Sequence, residues 1–466
     1  MNKLRLNFGI PSLVNVLLLL ILSVLILTVQ NRSYRFTEVF GAVDSGKASL
    51  CVSYDIRNKD IKLTCKVAHL SDIYNQLKDR TILDNEDQIH GNNSKIWILN
   101  AGITIEKGST LIIDPKDTRW LKIADDRKVA YPITVLGSLL IDSVKVTSWD
   151  PNINDYVKFD SEILQDREHE HTGIDAVPRP YIIIDKDAAG TTNITNSEIA
   201  YLGYECGGGC SGISYYGNTH DNNKDYHHNL NIIKNNDIHN NRFGFYSVNA
   251  SNILIENNIV HHNFMYGLDP HTGTHDIEIR NNTVHDHGAM GIICSLNCYN
   301  VTIENNTVFH SSGSGIMFSR NMHNSIARNN IVYGESKCIF ISQSHDNEIY
   351  NNKIDNCNNG IYLFDQSFTN SIHNNVIGSF NESSLRVSSD SAKNDIYSNQ
   401  ITNKDLTDSK DKNHDQVIMI ENKIAKANHD NNDKAPGMNI NEIQDIGDTH
   451  DKLVSQKYSA IEPSLR

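Results

Sequence analysis

Between residues 231 and 379 the chain repeats itself, and the short period of that repeat is the strongest constraint on its fold. The aligned segments read NIIKNNDIHNN, NILIENNIVHHN, DIEIRNNTVHDH, NVTIENNTVFHS, NSIARNNIVYGE, NEIYNNKIDNCN and NSIHNNVIGS. The second Asn of each pair falls at Asn236, Asn258, Asn282, Asn306, Asn330, Asn352 and Asn375, in steps of 22, 24, 24, 24, 22 and 23 residues. A second marker keeps the same period at Gly244, Gly267, Gly291, Gly315, Cys338 and Gly360. Within each repeat, apolar residues alternate over short stretches, and none shows the i, i+3, i+4, i+7 spacing of a helix. Gly and Asn mark the corners, where a positive φ or a side-chain-to-backbone hydrogen bond is needed. A unit this short cannot bury a core alone, but stacked units bury one continuous core and satisfy every backbone edge except at the ends. The pattern predicts an all-β chain folded as a single-stranded parallel β-helix. The leucine-rich pattern L-x-x-L-x-L, which has a similar period, is absent.

Residues 95 to 202 are also β-rich and read as earlier, less regular coils. The expected organisation is an N-terminal membrane segment over 1–35, a small β-rich cap or spacer over 36–95, the β-helix over 96–403, and a polar, disordered tail over 404–466. The membrane reading rests on the run from Leu13 to Val29, which follows Lys3 and Arg5 and is long enough to span a bilayer. A signal-anchor is expected, with a cleaved signal peptide as the alternative. Either makes the protein extracytoplasmic, membrane-anchored or secreted. Eight cysteines then point to disulfides, with Cys51/Cys65, Cys206/Cys210, Cys294/Cys298 and Cys338/Cys357 as suggestive spacings.

The formal charge of −14 argues against a nucleic-acid partner and requires any polyanion site to supply its own local cation. The outward phase of the strands shows where that site lies. Leu268, Ile292 and Ile316 point in, Asp269, Ile293 and Met317 point out, and His271, Ser295 and Ser319 also face out. One outward strip thus carries Tyr246, Asp269, His271 and Arg320. Pro270 sits mid-strand, where it cannot donate to the ladder, and such a local violation is expected at a functional site. An acid, a histidine and an arginine on one face suit proton abstraction beside a carboxylate, because the intermediate accumulates negative charge that a cation must neutralise.

From Trp97 to about Val376 the chain resembles the periplasmic mannuronan C5-epimerases of alginate-producing bacteria. The matching motifs run collinearly: WILNAGITIEKGSTLIID, TRWLKI, VKVTSWDP, RPYI, IAYLGY with GISYY, GFYS and YGLDPH. The resemblance implies a right-handed β-helix that converts β-D-mannuronate to α-L-guluronate within a polymer, without a cofactor. It implies His271 as the C5 base and Asp269 as the residue that orients it or helps fix the sugar; Arg320, matching a family Arg two coils on, would serve as the carboxylate-neutralising cation in place of the one the family has a coil earlier. Tyr266, Thr272, His275 and Tyr246 would contact the substrate. Two positions depart from the family pattern: Thr272 stands where the family has an Asp, and Leu296 where it has an Arg. The alternatives on the same scaffold are a β-eliminating polysaccharide lyase and a non-catalytic carbohydrate-binding protein. The expected partner is a uronate polysaccharide met by a monomer. No metal is expected: His239, His261, His285, Phe309 and Tyr333 recur at one place in the repeat and read as a packed ring ladder.

Overall fold

The computed structural model describes residues 50–86, 94–125, 128–159, 177–207, 209–217 and 230–401. The apolar run 13–29 and the tail beyond residue 401 lie outside the described residues. Among the described residues no helix is long and apolar enough to cross a membrane.

Three long sheets of 13, 13 and 11 strands make up the structure. Within each sheet a strand pairs in parallel with the one three places on, so each coil contributes one strand to each sheet. That is a parallel β-solenoid. We call the sheet containing Leu268–His271 sheet I, that containing His275–Arg280 sheet II and that containing Thr283–His285 sheet III. Among the described residues, two strand pairings are antiparallel, both at the start of the solenoid: Val52–Asp55 with Asp60–Leu63, and Leu83–Asn85 with Ile96–Leu99. Between them the helix Leu70–Leu77 buries Leu70 and Ile73 against the same core. A helix over the first coil covers an otherwise open edge. Asp60–Leu63 already pairs in parallel with Gly102–Ile105, so the solenoid's hydrogen-bond ladder begins inside the 36–95 segment.

The core is one unbroken cluster running from Val52 to Ile396, filled by inward pairs such as Ile277 and Ile279, then Val301 and Ile303. The Asn pairs explain how so polar a sequence packs this way. The first Asn of each pair holds a positive φ, for example 56° at Asn257, 57° at Asn281 and 55° at Asn305, which turns the corner. The second is buried. Asn306 Nδ2 donates to Ile279 O at 2.9 Å and to Asn330 Oδ1 at 3.0 Å, while its own Oδ1 accepts from Asn282 N at 2.9 Å and Asn282 Nδ2 at 3.0 Å. The rungs from Asn258 to Asn375 repeat the pattern, so their side-chain amides are satisfied. Asn306→Ala would orphan two donors and one acceptor. At roughly 1–3 kcal/mol for each buried orphan, we expect a loss of about 4 kcal/mol, read as a lower urea midpoint at an unchanged m-value. A loss below about 1 kcal/mol would mean that water takes over the bonds.

The ring ladder forms as the sequence predicts. His239, His261, His285, Phe309 and Tyr333 stack at centroid distances of 4.9, 5.2, 4.6 and 4.9 Å. A second ladder, His275–Tyr299–His323–His345–Phe368, stacks at 4.6, 5.5, 5.3 and 4.8 Å. Cysteine pairing differs from expectation at one place. Cys51–Cys65, Cys206–Cys210 and Cys338–Cys357 are disulfides, but Cys294 and Cys298 are free thiols in the core. Cys294 is an inward strand residue. The Cys298 thiol lies in the same core and donates to Ser295 O at 3.3 Å.

Candidate active site

The outer face of sheet I carries the strip. Parallel register places Tyr246 beside Asp269, Val248 beside His271, and His271 beside Ser295. Ile293, Met317, Phe340 and Tyr362 continue the Tyr246–Asp269 column in later coils. With Phe243, Tyr266 and Met290 they form a second apolar cluster, separate from the core. Pro270 does break the ladder locally. The following strand pairs only at Leu268↔Ile292 and His271↔Ser295, whereas the next pair of coils matches at four consecutive positions. The residues after these strands turn the corner with positive φ: Thr272 at 20°, Leu296 at 66° and Arg320 at 51°. They stack in successive coils, with Gly273 N bonded to Leu296 O and Asn297 N to Arg320 O.

Arg320 reaches back across two coils to His271. Its NH2 group lies 3.2 Å from His271 Nε2, and Ser295 Oγ in the intervening coil accepts from the same guanidinium at 2.8 and 3.1 Å. Arginine can only donate, so Nε2 must be the accepting nitrogen. The neutral ring then carries its proton on Nδ1, which donates to Thr272 Oγ1 at 2.6 Å. Burial, followed by the adjacent Arg320 charge, pushes the His271 pKa down to about 4. His271 is therefore a neutral imidazole with its basic nitrogen held by a cation.

Tyr246 packs against that ring at 5.6 Å. Burial, reinforced by the Asp269 carboxylate, raises its phenol pKa far above the ordinary value, so the phenol stays protonated. Asp269 is fully buried between Tyr246 and the next strand. Thr272 and Arg320 form the less buried edge of the site. Of the residues singled out from sequence, the structure gathers His271, Arg320, Thr272, Tyr246 and Asp269. Tyr266 stands in the apolar cluster beside them, stacked on Phe243 at 5.0 Å. His275 is placed on sheet II, past the corner, where it heads the second ring ladder and bonds Asp276 at 2.8 Å.

Two residues have roles that the sequence did not assign to them. Ser295, on the outward phase as expected, holds the guanidinium, a contact that strand phase does not give. Arg242 is buried, pairs with Glu205 and lies over the Phe243 ring at 4.6 Å. It precedes the strand rather than lying in it, so strand phase could not signal it.

A family model described as a right-handed β-helix region matches residues 173–308, 211–377 and 271–433, together more than half of the 466 residues. The chain belongs to this right-handed β-helix family. That settles the hand of the solenoid. Among solved structures, the periplasmic alginate epimerase AlgG superposes with a TM-score of 0.59 at 20% identity, covering 75% of this chain and 74% of that one. A double mutant of AlgG gives 0.59 at 20% identity over 76% and 75%. At this identity the likeness establishes a shared β-helix fold. No curated protein matches the sequence.

Proposed function

We propose that this β-helix protein is a polysaccharide C5-epimerase acting on a uronate polymer, with mannuronan as the substrate to try first. The observation that carries the proposal is the Arg320–His271 hydrogen bond at 3.2 Å. A uronate carboxylate is a better acceptor for a guanidinium than an imidazole is, because both partners are charged. As it binds Arg320 it releases His271 Nε2 and offsets the cation that weakens the base. Substrate binding thus frees the base at the same moment that it is needed.

His271 Nε2 then removes the C5 proton. The electron pair moves into the carboxylate, where Arg320 stabilises the second negative charge. The protonated phenol of Tyr246 is the donor for return of a proton to the opposite face of C5. Proton transfer from the His271 imidazolium back to the Tyr246 phenolate resets the site, so no other reactant is consumed. Asp269 keeps the phenol protonated until C5 is a carbanion. Thr272 accepts from Nδ1–H and fixes the tautomer. This assignment needs no cofactor. An extracytoplasmic site of action is part of the proposal, supported by the three disulfides and by the periplasmic description of AlgG. The apolar run 13–29 would carry the protein there.

The test is incubation of the full-length chain with polymannuronate in deuterated water, followed by proton NMR. Deuterium at C5 together with new guluronate signals is the expected result. Unsaturated chain ends would replace the epimerase by a lyase, in which the phenol protonates the leaving oxygen. If C5 protons of polymannuronate and of other uronate polymers all stay unexchanged, the catalytic reading is wrong.

A further inference from the structure

The sequence reading assigns the histidines on sheet III to packing, and the ring ladder satisfies that role. A second column beside the ladder is left over. Its positions are Asn240, His262, Asp286, His310, Gly334 and Asn356, with φ of 53, 52, 57, 58, 70 and 53°. Gly and Asn are the residues that adopt this left-handed conformation most readily. The chain uses them at both ends of the column and puts His, Asp, His at the three successive coils between. Those three side chains also face one another. His310 Nδ1 lies 3.9 Å from Asp286 Oδ1, and Gly334 leaves the space for its ring, since a Cβ there would stand 2.6 Å from His310 Cδ2. His285, from the packed ladder, bonds Asp286 Oδ2 through Nδ1 at 2.7 Å. Ligand atoms of His262, His285 and Asp286 all lie within 4.8 Å of one another.

We propose that His262, His285 and Asp286, with His310 beside them, form a binding site for a borderline divalent cation of the zinc class. Two imidazoles and a carboxylate are the donor set such ions prefer, whereas calcium and magnesium take oxygen ligands. Ligands about 2.0–2.1 Å from a tetrahedral ion stand roughly 3.4 Å apart. The exposed His262 ring can rotate to close the difference, while His285 is held in place by stacking between His261 and Phe309. A cation here would clip consecutive coils together at the corner from which the segments leading to Tyr266 and Met290 depart. The site is separate from His271 and its occupancy does not depend on the epimerase reading.

The experiment is isothermal titration of chelator-treated, full-length protein with zinc chloride, and with calcium chloride as control. Visible absorption of the cobalt(II) form reports the coordination. We expect one saturable zinc equivalent at micromolar affinity or tighter, no calcium heat, and a tetrahedral cobalt spectrum. His262→Ala and Asp286→Asn should each weaken zinc at least tenfold. Asn already occupies this corner elsewhere, so the Asp286→Asn variant should fold, as circular dichroism will report. The proposal is overturned if zinc gives no saturable heat, if calcium binds as tightly, or if both folded variants bind zinc like the parent.

Discussion

His271→Ala is expected to slow C5 proton exchange by about 10³-fold while leaving the solenoid folded, since a positioned general base contributes roughly 10²–10⁴-fold. The side chain lies on the outer face of sheet I, outside the core, so its removal empties no core position. The loss should appear in kcat, with polymer affinity changed little, because Arg320 remains to hold the carboxylate. The measurement is deuterium incorporation at C5 by NMR, with circular dichroism as the folding control. Retention of more than a tenth of the parent rate would remove His271 from the role of base. The remaining candidate would then be the Tyr246 phenol, whose raised pKa makes it a poor base in the free enzyme.

Arg320→Ala is expected to cost about 10²–10³-fold in kcat/KM, the range for removing one preorganised group at a developing charge. It carries a second, independent signature in pH. Burial and the Arg320 charge both lower the His271 pKa, to about 4. The base must be unprotonated to act, so activity falls as pH drops through that pKa. In the parent, the acidic limb of kcat/KM should therefore sit near pH 4. Without Arg320 one of the two depressing causes is gone, and the limb should move up toward the ordinary histidine value of about 6.5. Arg320→Lys keeps the charge but loses the planar fork that also engages Ser295, so it should restore the limb more fully than the rate. A limb that stays in place in the alanine variant would mean that burial alone sets the pKa. Arg320 would then have no part in controlling the base.

These two expectations also account for the substitutions that distinguish this chain from the family it resembles. At the corner one coil after His271 stands Leu296, an apolar residue, and the cation comes from the following coil instead. Arg320 spans two rungs of about 4.8 Å each to reach His271, and a hydrogen-bond partner midway fixes its course. Ser295 is that partner, accepting two bonds from the guanidinium. Thr272 supplies an oxygen acceptor to Nδ1, the function a carboxylate would serve, without adding negative charge beside the base.

By itself the sequence determined everything that depends on period. A repeat of 22 to 24 residues with one Asn pair per unit dictates coils, corners and register, because each coil must match the one below it for the backbone ladder to close. The same logic yields the ring ladder and the outward phase of Asp269 and His271. Tertiary structure alone decided what depends on side-chain reach and on burial. Strand phase gives the face a residue points to, but not that the Arg320 guanidinium reaches His271, nor that the Ser295 hydroxyl holds it on the way. It puts Ile293 and Met317 outside without revealing that they join Tyr246 and Tyr266 in an apolar cluster, or that burial holds the His271 pKa down. Spacing made Cys294 and Cys298 candidates for a bridge, whereas the fold buries both in the core as free thiols, with Cys298 donating to backbone carbonyls. The closeness of His275 to the motif in sequence is undone by the corner at Thr272 and Gly273, which sends it to another sheet.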